Sequence, residues 1–550
     1  FWLKLCCSSH YGCANHPLAT IRQCPFCGMT VQLKELSAQL WMVLMIVFFN
    51  SFKYFVLATV LTSFATDDYG ISDIQAGNLY GIWGLLHTVW GFVGSLAVDR
   101  FGIRAVAITA TSLGVLSRGL LVFTHSEIVL RIVLCGLGPL AEGVCDPLYM
   151  VAIKKLTKRR VRGFAFGLQY AFMNLGGAVG ENLIDLVRLQ TWLMPWGEVY
   201  SGLRFCLLLT WLASIVGFSL AWCLRDPPAR KPLQPFWSPG LEGNAFNQQA
   251  SAGFVGVFNP SPQSSPASSP PASPGLAPCR LPPENPHCDF LLLTEDGMPD
   301  AAEHGPAADV GRVCESSGHV SGFGDLVKTY LLDRMFHRAV LMTAAVMFVS
   351  LQWKYMDTLL PKFSDRTFGA SCPWGAIYSI NNWMCVICPP LISALAPGDR
   401  IDDFCLILPG LWIMALSPLT IWASVSESAT ALWVFLLSCG EVLWSPRSQS
   451  FIASLAPHGR EGAFLALAGL PAFLSQYPVG LISGWLLDTY CPACPGRFDD
   501  SCSQDPEWRS DPAVMWLWVA GTSAVSPLIM TISLSYFRRG VASAELEGDE

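Results

Sequence analysis

The sequence predicts an all-α integral membrane protein whose twelve transmembrane helices form two six-helix bundles. Three observations carry this prediction. Of 550 residues, 52% are hydrophobic and only 14% charged, and the mean hydropathy is +0.42, whereas a soluble domain carries about 25% charge. Twelve runs reach the roughly 20 apolar residues that span a hydrocarbon core. A polar, proline-rich gap divides those runs six and six. The same composition excludes a disordered chain, because 20 Trp and 32 Phe are too much aromatic mass for one. It also excludes a nucleic-acid binder, because a net charge of -7 gives no basic field to hold phosphates.

The first six runs cover 40–64, 76–98, 103–123, 127–151, 163–186 and 202–224. Short connections with charges or turn residues separate them. The last six cover 338–360, 373–396, 403–424, 428–454, 462–487 and 513–537, and are interrupted by Gly, Pro and isolated charges. Between the two sets, 17 of the 38 prolines fall from Pro227 to Pro306, beside Ser-rich runs such as 264–273. That composition reads as a disordered linker. The implied domains are an N-terminal segment 1–39, a bundle 40–224, a linker 225–337, a second bundle 338–537 and an acidic tail 538–550. Within the linker, Leu326, Tyr330, Leu331 and Met335 have near-helical spacing. This fits an interfacial helix or an unstructured continuation.

Lys and Arg in short loops set the orientation. The loop after run four holds Lys154, Lys155, Lys158, Arg159, Arg160 and Arg162, while the opposite side holds Asp67, Asp68 and Asp73. Both termini are therefore expected in the cytosol. Cys372, Cys491, Cys494 and Cys502 then face the oxidising side, where two disulfides can form with three alternative connectivities. Cys13, His16, Cys24 and Cys27 have the two-residue gaps of zinc ligands, but the segment is short and irregular. No metal or cofactor is expected.

The two halves share a motif. Run four has Glu142, then Asp146 and Pro147, and run ten has Glu441, then Ser445 and Pro446, at identical spacing. Such matches signal an internal repeat. At the end of run two, Ser95-Leu96-Ala97-Val98-Asp99-Arg100-Phe101-Gly102-Ile103-Arg104 resembles the signature loop of the major facilitator superfamily, G-x-L-a-D-R-x-G-R-K. Ser95 stands where the family has its first Gly, and Ile103 replaces a basic residue. The resemblance covers 40–537 and implies two bundles around a central cavity that opens alternately to each side. Asp99, Arg100, Gly102 and Arg104 form the expected cytosolic gate, with Asp146 as the partner of Arg104 and a helix N-terminus as the partner of Asp99.

Gly440-Glu441-Val442-Leu443-Trp444-Ser445-Pro446, followed by Leu455-Ala456-Pro457, resembles the proton-coupled oligopeptide transporter family. Tyr170 with Asn174-Leu175-Gly176 adds to this likeness. The family's two acids and Arg in span one are absent here, where Val47, Asn50 and Ser51 stand. In that family the matching Glu meets the substrate's amino group, which makes Glu441 and the adjacent Trp444 candidates for a substrate and proton path.

Ionisable groups inside a span cost about 2.5–3.5 kcal/mol to insert, so their presence points to function. Lys53, with Asn50 and Tyr54 expected on the same face of run one, needs a carboxylate or a substrate anion, the alternatives being a structural pair with an acid on another span or snorkelling. Glu142, Glu181, Lys354, Tyr378 and Asn381 complete the expected path. Pairing of Glu441 with Lys53 or Lys354, and an i,i+3 pair of Lys354 with Asp357 near the surface, are the plainer alternatives.

The resemblance implies a secondary active transporter of a small polar organic solute, monomeric in the bilayer and driven by protons. A uniporter or a non-transporting solute sensor is the alternative. No nucleophile elbow or phosphate loop marks an enzyme.

Overall fold

The computed structural model describes residues 36–157, 161–225, 334–395, 402–455, 474–493 and 511–548, with single positions 33, 469 and 471. Cys13, His16, Cys24, Cys27, Cys494, Cys502, the side chain of Asp99 and almost all of the linker lie outside the described set.

Local signals set the helix ends. Helix α1 (Ala38–Tyr69) starts where the Ser37 hydroxyl accepts from the Leu40 N–H at 3.2 Å, and stops at Gly70, whose φ of 69° admits a left-handed cap. Helix α2 (Asp73–Phe101) is capped by Ser72. It turns at Gly102, with φ 85°, into α3 (Ile103–Phe123). Helix α4 (Glu127–Leu156) contains a π-helical turn at Val133–Leu137. After α5 (Arg162–Val187), a hairpin pairs β1 (Trp192–Leu193) antiparallel with β2 (Val199–Tyr200), a feature too short to show in the hydropathy pattern. Helix α6 (Gly202–Cys223) ends the first half.

The second half begins with α7 (Arg334–Thr358), which a short helix, Leu360–Thr367, prolongs. It continues through α8 (Trp374–Leu395), α9 (Phe404–Ala423), α10 (Glu427–Ser454), α11 (Gln476–Tyr490) and α12 (Pro512–Gly548). Helix α12 runs through most of the stretch 538–550 expected as a tail. The Ala, Leu and Glu residues there favour continuation of the helix.

Eight of these helices are long and apolar enough to cross a membrane: α1, α3, α4, α6, α7, α9, α10 and α12. The others, α2, α5, α8 and α11, are the helices that join the halves, with α2 packed on α11 and α5 on α8. In α2, α5 and α8, protein contact on several sides replaces lipid contact, so small and polar residues take the place of an apolar coat, whereas α11 is described over only 15 residues. At the α2–α11 contact a Cβ added to Gly480 would lie 2.4 Å from the Gly77 carbonyl oxygen and 2.6 Å from Gly81 atoms. We expect Gly480→Ala to separate these helices and cost about 1–3 kcal/mol, read as a lower Tm. Gly167→Ala, whose added carbon meets nothing within 4 Å, is the control.

Candidate functional site at the interface of the halves

One end of the interface is closed by charge. Asp73, at the start of α2, accepts from Lys362 at 2.6 Å and from Arg366 at 2.8 Å, both on the short helix of the other half. Arg188, at the end of α5, donates to Asp185 at 3.1 Å, to Asp365 at 2.7 Å, and to the carbonyls of Ala370 and Cys372. Its guanidinium also lies 4.6 Å from the Trp374 ring centroid. Asp185 accepts from the Gly375 and Ala376 N–H groups at 3.1 and 2.7 Å, so a carboxylate of the first half caps the N-terminus of α8.

At mid-depth, two buried polar clusters share α7. In the first, the Lys354 ammonium donates to the Tyr54 hydroxyl at 3.0 Å and lies 3.6 Å from Asp357. Asp357 also accepts from the hydroxyls of Tyr378, at 2.6 Å, and Tyr80. Tyr54 and Tyr80 belong to the first half, and the other three residues to the second. Asp357 thus draws two phenol donors, one from each half, and has a cation nearby.

The second cluster surrounds Glu441 on α10, which is 6% exposed. Its Oε2 accepts from the Trp353 indole at 2.9 Å and from the Asn381 amide at 2.7 Å, while its Oε1 has Tyr170 of α5 at 3.5 Å. No cation lies within ion-pair distance among the described residues. Trp444 stacks on Trp353 with centroids 5.7 Å apart and donates to the Met414 sulfur at 3.2 Å. Asn382, fully buried over Gly177 of α5, has neither amide atom partnered. Glu181 is also fully buried, with Oε1 at 2.7 Å from the Thr59 hydroxyl and Oε2 unpartnered.

Several expected placements differ. Lys354 and Asp357 are 6% and 2% exposed, so their pair is buried between the halves rather than near the surface. Glu441 pairs with neither Lys53 nor Lys354. Asp146 meets His87 Nε2 at 2.7 Å and not Arg104, whose guanidinium donates to the Trp222 carbonyl at the end of α6. Asp146 points into the α2–α4 contact, away from the α2–α3 turn. The Arg100 guanidinium sits 5.8 Å from the Phe101 ring.

Glu142 is bound to Arg118 of α3, both buried, and so does not mirror the cation-free setting of Glu441. Lys53 and Tyr54 diverge because adjacent helical residues point about 100° apart. Tyr54 reaches α7, whereas Lys53 and Asn50 face a small cavity toward α3 and α6. Cys372 and Cys491 are buried free thiols, so neither takes part in an expected disulfide, while Cys494 and Cys502 lie outside the described residues. Burial pushes the Cys372 thiol up to about 11, so it stays protonated and inert.

Arg118, His87 and Arg188 were not among the expected site residues. The signal for Arg118 was available, since it is a charge inside an apolar run.

Helices of membrane-spanning length, packed in two halves over a buried polar interface, mark a multi-pass membrane protein. The chain belongs to the Major Facilitator Superfamily, whose family model matches residues 43–476. Among solved structures it is similar to one described under substrate recognition in proton dependent oligopeptide transporters. The TM-score is 0.60 at 13% identity, covering 91% of this chain and 99% of that one. The peptide transporter POT in complex with sulfate gives 0.57 at 16% identity, covering 91% and 95%. The nucleoside transporter NupG gives 0.56 at 11% identity, covering 90% and 99%. At these identities the likeness is one of fold. Comparison with curated proteins gives no matching sequence.

Proposed function

We propose that the protein is a secondary active transporter of a small polar organic solute, coupled to protons and working by alternating access. The observation that carries this reading is Glu441. It is a buried carboxylate at the interface of the halves, held only by neutral donors: the Trp353 indole, the Asn381 amide, the Tyr170 hydroxyl and the Cys385 thiol. A carboxylate so placed can hold a proton or a cationic solute group in turn. Either one neutralises a charge that is costly to leave buried. Asn381, Trp353, Trp444 and Tyr170 shape this site, and Tyr54, Lys354 and Tyr378 form its neighbour. Glu181 is a second carboxyl able to take a proton.

In this reading α2, α5, α8 and α11 also cross the membrane, giving twelve spans in bundles 40–224 and 338–537 joined by the linker. Both termini lie in the cytosol. The Asp73 and Arg188 clusters then close the extracytosolic end, and the α2–α3 turn with Asp99, Arg100, Gly102 and Arg104 is the cytosolic latch. The protein works as a monomer in the bilayer.

The test is solute-dependent proton flux in proteoliposomes, offered di- and tripeptides, nucleosides, sugars, carboxylates and nitrate in turn. Flux with one class is the expected result. Solute uptake without proton flux would make the protein a uniporter, and binding without either would make it a sensor.

A further inference from the structure

We infer that the pocket between α1, α3 and α6 binds a small monovalent inorganic anion, with the Lys53 ammonium as its principal ligand. This site is separate from the Glu441 cluster and does not depend on the assignment made there.

Lys53 is 3% exposed, and its ammonium makes no ion pair among the described residues. It extends over Gly114 of α3, where even a Cβ would lie 3.1 Å from Nζ. The missing side chain at 114 is what leaves room for the charge. The neighbouring charges are committed elsewhere: Glu142 to Arg118, and Asp146 to His87. The Lys53 ammonium is therefore left without a carboxylate partner among the described residues. An uncompensated buried charge is among the costliest features a fold can hold.

The space beside it is lined by Asn50, Thr111 and Ser214 together with apolar Ile46, Phe49 and Ala213. Asn50 is 9% exposed, and its Oδ1 has no partner. Turning that amide over presents its NH2 to the pocket beside the ammonium. The hydroxyls of Thr111 and Ser214 donate to carbonyls of their own helices, at 2.6 and 2.8 Å. The donors left for a ligand are then the ammonium and one amide. One ammonium and one amide suit a small monovalent ion, whereas a tetrahedral oxyanion would want more donors. The cavity volume of about 10 Å³ leaves room for one particle of about water size, far below the 300 Å³ or so at which organic-ligand pockets begin. A halide fits these limits.

The experiment uses the purified full chain in detergent, with chloride, bromide, sulfate and gluconate compared as sodium salts at constant ionic strength. A ligand that binds only the folded state raises Tm in a saturable way. Chloride and bromide should raise Tm by a few degrees over gluconate in the wild type and in Lys53→Arg, and should not in Lys53→Met. Bromide-soaked crystals of the wild type should also show an anomalous peak beside Nζ, a readout that needs no variant to fold. No halide-specific shift, an equal shift in Lys53→Met, or an anomalous map without that peak would overturn the proposal.

Discussion

Replacing Arg188 by alanine is expected to cost the fold on the order of 3 kcal/mol or more, the range for removing one partner of a buried ion pair. Its side chain is 5% exposed and serves Asp185, Asp365, two backbone carbonyls and the face of Trp374. Its loss leaves two carboxylates facing each other across the halves and takes a donor from the Ala370 and Cys372 carbonyls, of which Cys372's keeps the Trp374 N–H. The Arg188→Lys change would keep the charge but not the planar fork that reaches several acceptors at once. The expected readout is a sharply lower Tm and loss of monodisperse protein for Arg188→Ala, with Arg188→Lys intermediate. Asp365→Asn should be milder, because Asp365 is 30% exposed and water can take over its role.

The helices were legible because their signal is local. The run at 103–123 has the bounds of α3. The site was legible only in part. Glu441 stood out because an acid in mid-span is costly, and its family-like surroundings drew attention to it. Its partners did not stand out in the same way. Tyr80 reaches Asp357 across 277 residues and Lys362 reaches Asp73 across 289, distances at which no sequence pattern announces a contact. The divergence of Lys53 from Tyr54 follows from helical geometry, but which face of α1 meets which neighbour is decided by packing. Arg118 is different in kind, since the rule that singled out Lys53 applies to it equally, and its pairing explains why Glu142 and Glu441 play unlike parts despite matching motifs.

The closed end of the interface combines ion pairs with glycine contacts. Asp73 with Lys362 and Arg366 is a bond that can be broken and remade without repacking a core, and Gly77 against Gly480 is a contact with no side chains to disentangle. Both suit an interface that opens.

The second large effect is expected from Glu441→Gln. Glutamine keeps the shape and still accepts from Trp353 and Asn381, so the protein should fold, and solute exchange down a gradient should persist. Weaker binding by about tenfold, or 1.4 kcal/mol, fits the loss of a charge-assisted bond. Glutamine cannot carry a proton. The decisive measurement is uptake by proteoliposomes under an inward proton gradient, with the solute identified by the flux panel, in wild type and Glu441→Gln side by side. The account predicts uphill accumulation in the wild type and only equilibration in the variant, with counterflow retained. Uphill accumulation by Glu441→Gln equal to the wild type would contradict it.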